Sequence, residues 1–390
     1  MKKGWEEKYL KDISEYSIGL TYKPTHVCED GTIVLRSSNI QGGKLDLSDI
    51  VRVNAQIKDK LYVQPGDILM CSRNGSAKLV GKVCLIPEMK EPMTYGTFMM
   101  IIRSQYNPLL YYFFDSNDFR KQIKHGEANM INQITRYMLD DVKVKFPPLS
   151  EQKEIVEYLD SSFAKIDKLK ENAAKNLEEA KALFQSALKN ALEPKEGWEE
   201  KKMVEVCTIE RGGSPRPIKK FLTKEENGLN WIKIGDTDPQ GKYIYSTAEK
   251  IIPEGLKKSR WVDVDDFLLS NSMSFGRPYI LKTNGCIHDG WLVLRNYQNF
   301  MNIDFFYYLL VSPLVQRQFK IKAQGSTVSN LNTQRVADVA IYIPPLPEQQ
   351  SIVSFLDSLN EKLNTLQQNY SRICDECDAL KQAILRQVFE

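Results

Sequence analysis

The pentapeptide GWEEK stands at Gly4–Lys8 and again at Gly197–Lys201, 193 residues further on. With five Trp in 390 residues, a chance repeat of five residues that includes one is improbable. A second pair is longer. FPPLSEQKEIVEYLDS at Phe146–Ser161 is answered by IPPLPEQQSIVSFLDS at Ile343–Ser358, 197 residues on. The two offsets differ by four, a small net insertion in the second copy. A repeat with so large a period belongs to duplicated domains, not to a solenoid. Whatever this chain folds into, it must build the same plan twice: a GWEEK start, a variable region, a Pro-Pro-Leu-x-Glu-Gln signature and a long tail.

Each tail reads as a helix. Pro147-Pro148 and Pro344-Pro345 force extended backbone before it. Ser150 stands where an N-cap belongs, with Lys153 rather than Glu at the reciprocal position. No Pro or Gly follows up to Leu192 in the first copy, or after Pro347 in the second. In the second copy Ile352, Leu356, Leu359, Leu363, Leu366, Tyr370, Ile373, Cys377, Leu380 and Ile384 recur in steps of four and three, a coiled-coil seam. The same register in the first copy gives Ile155, Leu159, Ser162, Ile166, Leu169, Ala173, Asn176, Ala180, Leu183 and Ala187, with Phe163, Leu177 and Phe184 widening the stripe. A helix of about 40 residues spans about 60 Å and is not stable alone. The reading is that the two pack on each other. Periodicity leaves their direction open, and two helices docked separately on their own domains remain the alternative.

The variable regions read as β-rich. Apolar runs lie at Thr32–Arg36, Asp67–Cys71, Lys82–Ile86 and Phe98–Ile102, and at Trp231–Ile234, Phe267–Ser270, Pro278–Lys282 and Trp291–Leu294, with turn pairs at 42–43, 65–66 and 284–285 between them. Aromatic, helix-like patches follow at Leu109–Lys124 and Ile303–Lys322, then Gly-containing loops at His125–Gln133 and Gln324–Asn332.

Catalytic chemistry finds little support. Cys374 and Cys377 form a CxxC without a second Cys or His pair, and Cys377 falls on the seam, so packing is its expected role and no metal is expected. Gly75–Val83 misses the P-loop pattern in spacing and in its last residue. Asp141 with Glu151-Gln152-Lys153 echoes a metal-nuclease pattern, but Glu151 opens a helix and Gln350 replaces Lys153 in the second copy. There is no cofactor fingerprint of a methyltransferase, and the three His (26, 125 and 288) join no acid–base constellation. Seven scattered Cys, a start without an apolar core and no run of membrane length suggest a cytoplasmic protein with reduced thiols. A net charge of +3 excludes a histone-like arm but not a local basic patch.

What remains is recognition. Loops mixing Arg or Lys with Ser, Asn and Gly recur at similar places: Arg36-Ser37-Ser38-Asn39, Ser72 to Lys78, Lys233 to Thr237, and Ser270 to Arg277. Arg and Asn read bases bidentately, and Ser, Lys and Gly amides hold phosphates.

With these residues in view, the chain resembles the DNA specificity (S) subunit of Type I restriction-modification systems. The resemblance covers essentially the whole chain. It rests on the GWEEK starts, on PPLSEQ and PPLPEQ leading into long helices, on the tandem order, and on CSRNGSAKLVGKV and SNSMSFGRPYIL, which are similar to the family's Gly-containing loops. It implies an α+β fold with a pseudo-twofold repeat: target-recognition domains over 1–146 and 194–343, alternating with spacer helices over 147–193 and 344–390 that pair as an antiparallel coiled coil. Helix pairing would fall to Ile155, Leu159, Ile166, Leu169 and Leu183, with Ile352, Leu356, Leu359, Leu363, Leu366, Ile373 and Leu380 opposite. It implies a non-catalytic reader of double-stranded DNA, each domain taking half of a split target. Partners would be two methyltransferase subunits carrying S-adenosylmethionine, with room for two motor-nuclease subunits using ATP and Mg. DNA contacts are expected from Arg73, Asn74, Gly75, Ser76 and Lys78, and from Ser272, Ser274, Phe275, Gly276 and Arg277, beside Arg36, Ser38, Asn39 and Lys233. A protein scaffold without a DNA role and a stand-alone nuclease are the alternatives.

Overall fold

GWEEK opens a strand, and the partner of that strand is the one that runs into the Pro-Pro pair. Glu6–Tyr9 pairs antiparallel with Lys143–Phe146, and Glu199–Lys202 with Ala340–Ile343, in the same register. Gly4 and Gly197 both hold a left-handed φ, where a side chain would be strained. In the second copy the two motifs also meet through side chains. Trp198 Nε1 donates to Glu348 Oε2 at 3.2 Å, and Trp198 otherwise packs on the core, as Trp5 does in the first copy.

This computed structural model describes residues 4–124, 133–239, 241–271, 276–323 and 330–389. The chain divides into two compact units, Met1–Ala174 with Tyr370–Glu390, and Lys175–Asn369. Each contains one copy of the variable region and portions of both long helices.

One sheet forms the middle layer of each unit. In the first its order is Glu15–Ile18, Met99–Arg103, Ile68–Cys71, Val83–Leu85; in the second, Thr208–Arg211, Trp291–Arg295, Phe267–Ser270, Pro278–Leu281, with Tyr243–Ile244 added at the edge. The central strands are apolar up to their last residues, Arg103, Ser270 and Arg295, because both faces are covered. Side chains alternate between faces: Ile68, Met70, Met100 and Ile102 join the core beneath the helices, while Leu69, Cys71, Met99 and Ile101 join the core beneath a second sheet. Unit two repeats this, with Phe267, Leu269, Leu292 and Leu294 on one side and Leu268, Trp291 and Val293 on the other. The second sheet carries the same parallel pair in both copies, Thr32–Leu35 with Met93–Tyr95 and Leu229–Ile232 with Gly285–Ile287.

The aromatic patches are each two helices, not one: Asn107–Asp115 and Asn117–Lys124, then Ile303–Val311 and Pro313–Ala323. A serine makes each break. Ser116 Oγ accepts from Phe119 N at 3.2 Å. Ser312 Oγ accepts from Val315 N at 3.3 Å. Each hydroxyl thus caps the second helix of its pair. Tyr112 and Tyr308 from the patches donate their hydroxyls to Asp160 and Asp357, the Asp of each LDS signature.

The long helices run Leu149–Ala191 and Leu346–Phe389. Ser150 is not the cap of the first. The helix starts one residue earlier, and the Pro148 carbonyl accepts from Glu151 N at 2.8 Å. The signature Gln reaches back instead: Gln152 Nε2 donates to Pro147 O at 3.0 Å and buried Gln349 Nε2 to Pro344 O at 2.9 Å. Within each unit the helix portions lie antiparallel. In the first, Lys170 pairs with Asp378 at 2.7 Å and Asp167 with Lys381 at 2.6 Å, and Leu159 shares a core with Leu385 and Val388. In the second, Leu188 and Leu192 pack with Ile352 and Leu356.

The seam departs from the heptad at four expected positions, of which polar Asn176 is exposed. Leu169, Leu183 and Leu380 are 53%, 71% and 50% exposed. Ile166, an expected position, is buried, and the burial continues at Leu177 and Leu188, eleven residues apart. An α-helix of 3.6 residues per turn drifts about 20° per heptad, so a face kept over many turns follows eleven rather than seven. Ile155, Leu159, Ile166, Ile352, Leu356, Leu359, Leu363, Leu366 and Ile373 are buried or half-buried, and Cys377 is packed at 3% exposure.

Candidate nucleic-acid interface

Three segments meet at one end of the first unit: the turn Ser37–Asn39 after strand Thr32–Leu35, the loop after Ile68–Cys71, and the turn before Met99. Asn74 Nδ2 donates to Ser37 Oγ at 3.1 Å, tying turn to loop. Ser72 N and Arg73 N both donate to Phe98 O at 3.0 Å. The Arg73 guanidinium lies over the ring of exposed Phe98, 5.4 Å from its centroid, in cation–π geometry. Asn74 Oδ1 accepts from Ser76 N at 2.9 Å, and Ser76 and Lys78 are exposed. Lys78, Lys82 and Lys44 line a cleft of about 1100 Å³ whose other walls include Tyr111 and Asp115.

Some expected site residues have other tasks. Asn39 is fully buried; it accepts from Arg36 N at 2.8 Å and donates to Asp46 O and Asp49 O. It holds the turn and offers no face to a base. Ser38 Oγ is enclosed. Arg36 pairs with Asp49 at 2.8 Å. Lys233 stands at the equivalent place in the second unit: its N–H donates to Asp236 Oδ2 at 2.7 Å and its amine pairs with Glu249 at 2.9 Å. Gly75 has open space around it and no left-handed backbone. Asp141 follows the short helix Arg136–Asp140, and Glu151 and Lys153 lie on the first turns of the long helix, so the nuclease pattern is not carried by strands.

The loop geometry also realigns the two copies. Gly276 (φ +81°) donates its N–H to Ser270 O at 2.7 Å, and Ser270 N donates to Arg277 O at 3.1 Å. The matching bonds in the first unit are Gly81 N (φ +85°) to Cys71 O at 2.9 Å and Cys71 N to Lys82 O at 2.9 Å. The counterpart of Gly276-Arg277 is therefore Gly81-Lys82, not Gly75 and its neighbours. A Cβ at Gly276 would also sit 3.0 Å from Phe319. Arg277 stacks over Tyr279 at 5.4 Å. Ser272, Ser274 and Phe275 lie outside the described residues.

The second unit adds residues that motif reading missed. Asp289 accepts from Ser214 Oγ at 2.7 Å and pairs with exposed Arg216 at 3.3 Å, and its carbonyl accepts from Asn271 Nδ2 and Arg211 Nε. The Ser214 hydroxyl holds the Asp289 carboxyl below its ordinary range. His288 Nδ1 accepts from Gly290 N at 2.8 Å, and Nε2 faces Ile234 N at 3.2 Å. Burial lowers its pKa. The available signal was RGGSPRP at Arg211–Pro217 against IGLTYKP at Ile18–Pro24, which share a basic residue before Pro at the GWEEK offset.

Among the described residues no group of His, Cys, Asp and Glu is placed to hold a metal, and no helix is long and apolar enough to cross a membrane.

The family model for the Type I restriction modification DNA specificity domain matches residues 2–179 and again 195–373. The StySPI specificity subunit of Salmonella potsdam is 23% identical over 420 residues, spanning 100% of this chain and 89% of its own. The solved HsdS subunit from Thermoanaerobacter tengcongensis shares the fold at TM-score 0.57 and 19% identity, over 100% of this chain and 97% of that one. A chain from a type I R-M system solved for its complex assembly and conformational transition does so at TM-score 0.78 and 20% identity, over 99% of this chain and 97% of that one.

Proposed function

The chain belongs to the Type I restriction-modification DNA specificity family, and from that premise we propose that it reads a split DNA target, one half with each unit. The observation that carries this reading is the repeated framework. The same sheet, the same parallel pair and the same capped turn are built twice, and the loops they display differ. Two copies of one frame with different loops suit two unlike half-sites on one duplex.

Residues 1–146 and 194–343 are the reading modules in this proposal. The long helices set the gap between half-sites and dock methyltransferase subunits, two per chain, which supply S-adenosylmethionine and transfer its methyl group to adenine N6. Motor-nuclease subunits using ATP and Mg would complete a restriction complex. Arg73, Ser76, Lys78 and Arg277 are the described loop residues best exposed or stacked for contact with DNA. This chain supplies recognition, and its partners supply the chemistry.

Mapping methylated adenines in genomic DNA exposed to the chain with its methyltransferase subunit tests the reading. The expected result is a bipartite, asymmetric motif with a fixed gap. Methylation without sequence preference, or at one uninterrupted motif, would contradict it.

A further inference from the structure

Several cations occupy equivalent framework positions in both units, and most are neutralised there. Arg36 and Lys233 pair with Asp49 and Glu249. Arg103 and Arg295 pair with Asp67 and Asp266 at 2.6 and 2.9 Å. Lys8 and Lys201 pair with Glu6 and Glu199. Lys82 and Arg277 differ. The same two backbone hydrogen bonds fix them after the same left-handed glycine, yet neither has an ion pair among the described residues. With their backbone fixed and no ion pair among the described residues, they are available to an anion outside the chain.

The segments beside them are not equivalent. Between Ser72 and Gly81 the first unit has eight residues, 73–80; between Asn271 and Gly276 the second has four, 272–275. Base edges carry sequence information and phosphates do not. A cation retained at one framework position in two modules that read different sequences must contact something both half-sites share. A loop whose length and residues differ between the modules suits what differs between the half-sites.

We propose that Lys82 and Arg277 are matched phosphate contacts, one per half-site, and that the 73–80 loop with Arg73 reads bases in one half. This rests on the DNA-reading function proposed above.

The test uses the full chain with its methyltransferase subunit, the duplex carrying its mapped target, and a scrambled duplex, with affinity measured across a salt series. Lys82→Gln and Arg277→Gln should each lower the slope of log affinity against log salt by about 0.9, the value for one phosphate contact. Each should weaken target and scrambled duplex by the same factor and leave base preference unchanged. Lys82→Arg should restore the slope. Arg73→Ala should relax preference in one half-site only. The assignment is overturned if Lys82→Gln melts like the parent and leaves the slope unchanged, or if it alters base preference. If the parent itself fails to distinguish target from scrambled duplex, the DNA-reading function falls, and the assignment with it.

Discussion

At His288 the fold disfavours the charged ring. Both ring nitrogens face backbone N–H groups, of Gly290 and Ile234, and the ring is largely buried. Burial strips water from the charged ring, and this outweighs the pull of the neighbouring Asp289 carboxylate, so the folded pKa lies below that of the unfolded chain. The unfolded state then binds the extra proton first. Stability should fall as pH drops through the ordinary imidazole range, about 6.5, and go on falling until the folded ring is itself protonated. Chemical denaturation across that range checks this, and His288→Gln should flatten the pH dependence. Residue types in the loops were legible from sequence, but their commitments were not. Asn39 has the composition of a base reader and is spent on its own turn. The counterpart of Arg277 was misplaced because Gly75 matches the motif by composition, whereas the backbone bonds align Gly81 with Gly276. A four-residue difference in loop length hides that from any comparison of strings.

The elements were the most legible part. Strands such as Phe267–Ser270 were readable because a sheet covered on both faces demands unbroken apolar runs. The helix breaks at Ser116 and Ser312 were not, because a Ser cap inside an aromatic patch looks like any polar position. The seam was right near its start and drifted later. Leu177→Ala should therefore cost about 2–5 kcal/mol, as at a buried position, while Leu183→Ala should stay within about 0.5 kcal/mol. Urea denaturation of the two variants distinguishes the eleven-residue face from the heptad. The helices also carry the proposed spacing role. Removing four residues from each, at the level where Lys170 meets Asp378, shortens each by about 6 Å. At about 3.4 Å per base pair the gap in the methylation motif should contract by one or two base pairs. An unchanged gap would assign the spacing to another part of the complex.

The whole molecule is a plan executed twice, and its signatures are the joints of that plan. The GWEEK strand closes on the strand before Pro-Pro, the signature Gln turns the chain into the helix, and the LDS aspartate receives a tyrosine from the helical layer. That is why these stretches repeat while the loops do not. In the proposed function each unit reads its own half of the target independently. The most direct measurement replaces residues 194–343 with the corresponding region of another family member and maps adenine methylation by the reassembled complex. One half-site should take on the donor's sequence while the other half-site and the gap stay as they were. A change in both half-sites, or in the gap, would contradict it.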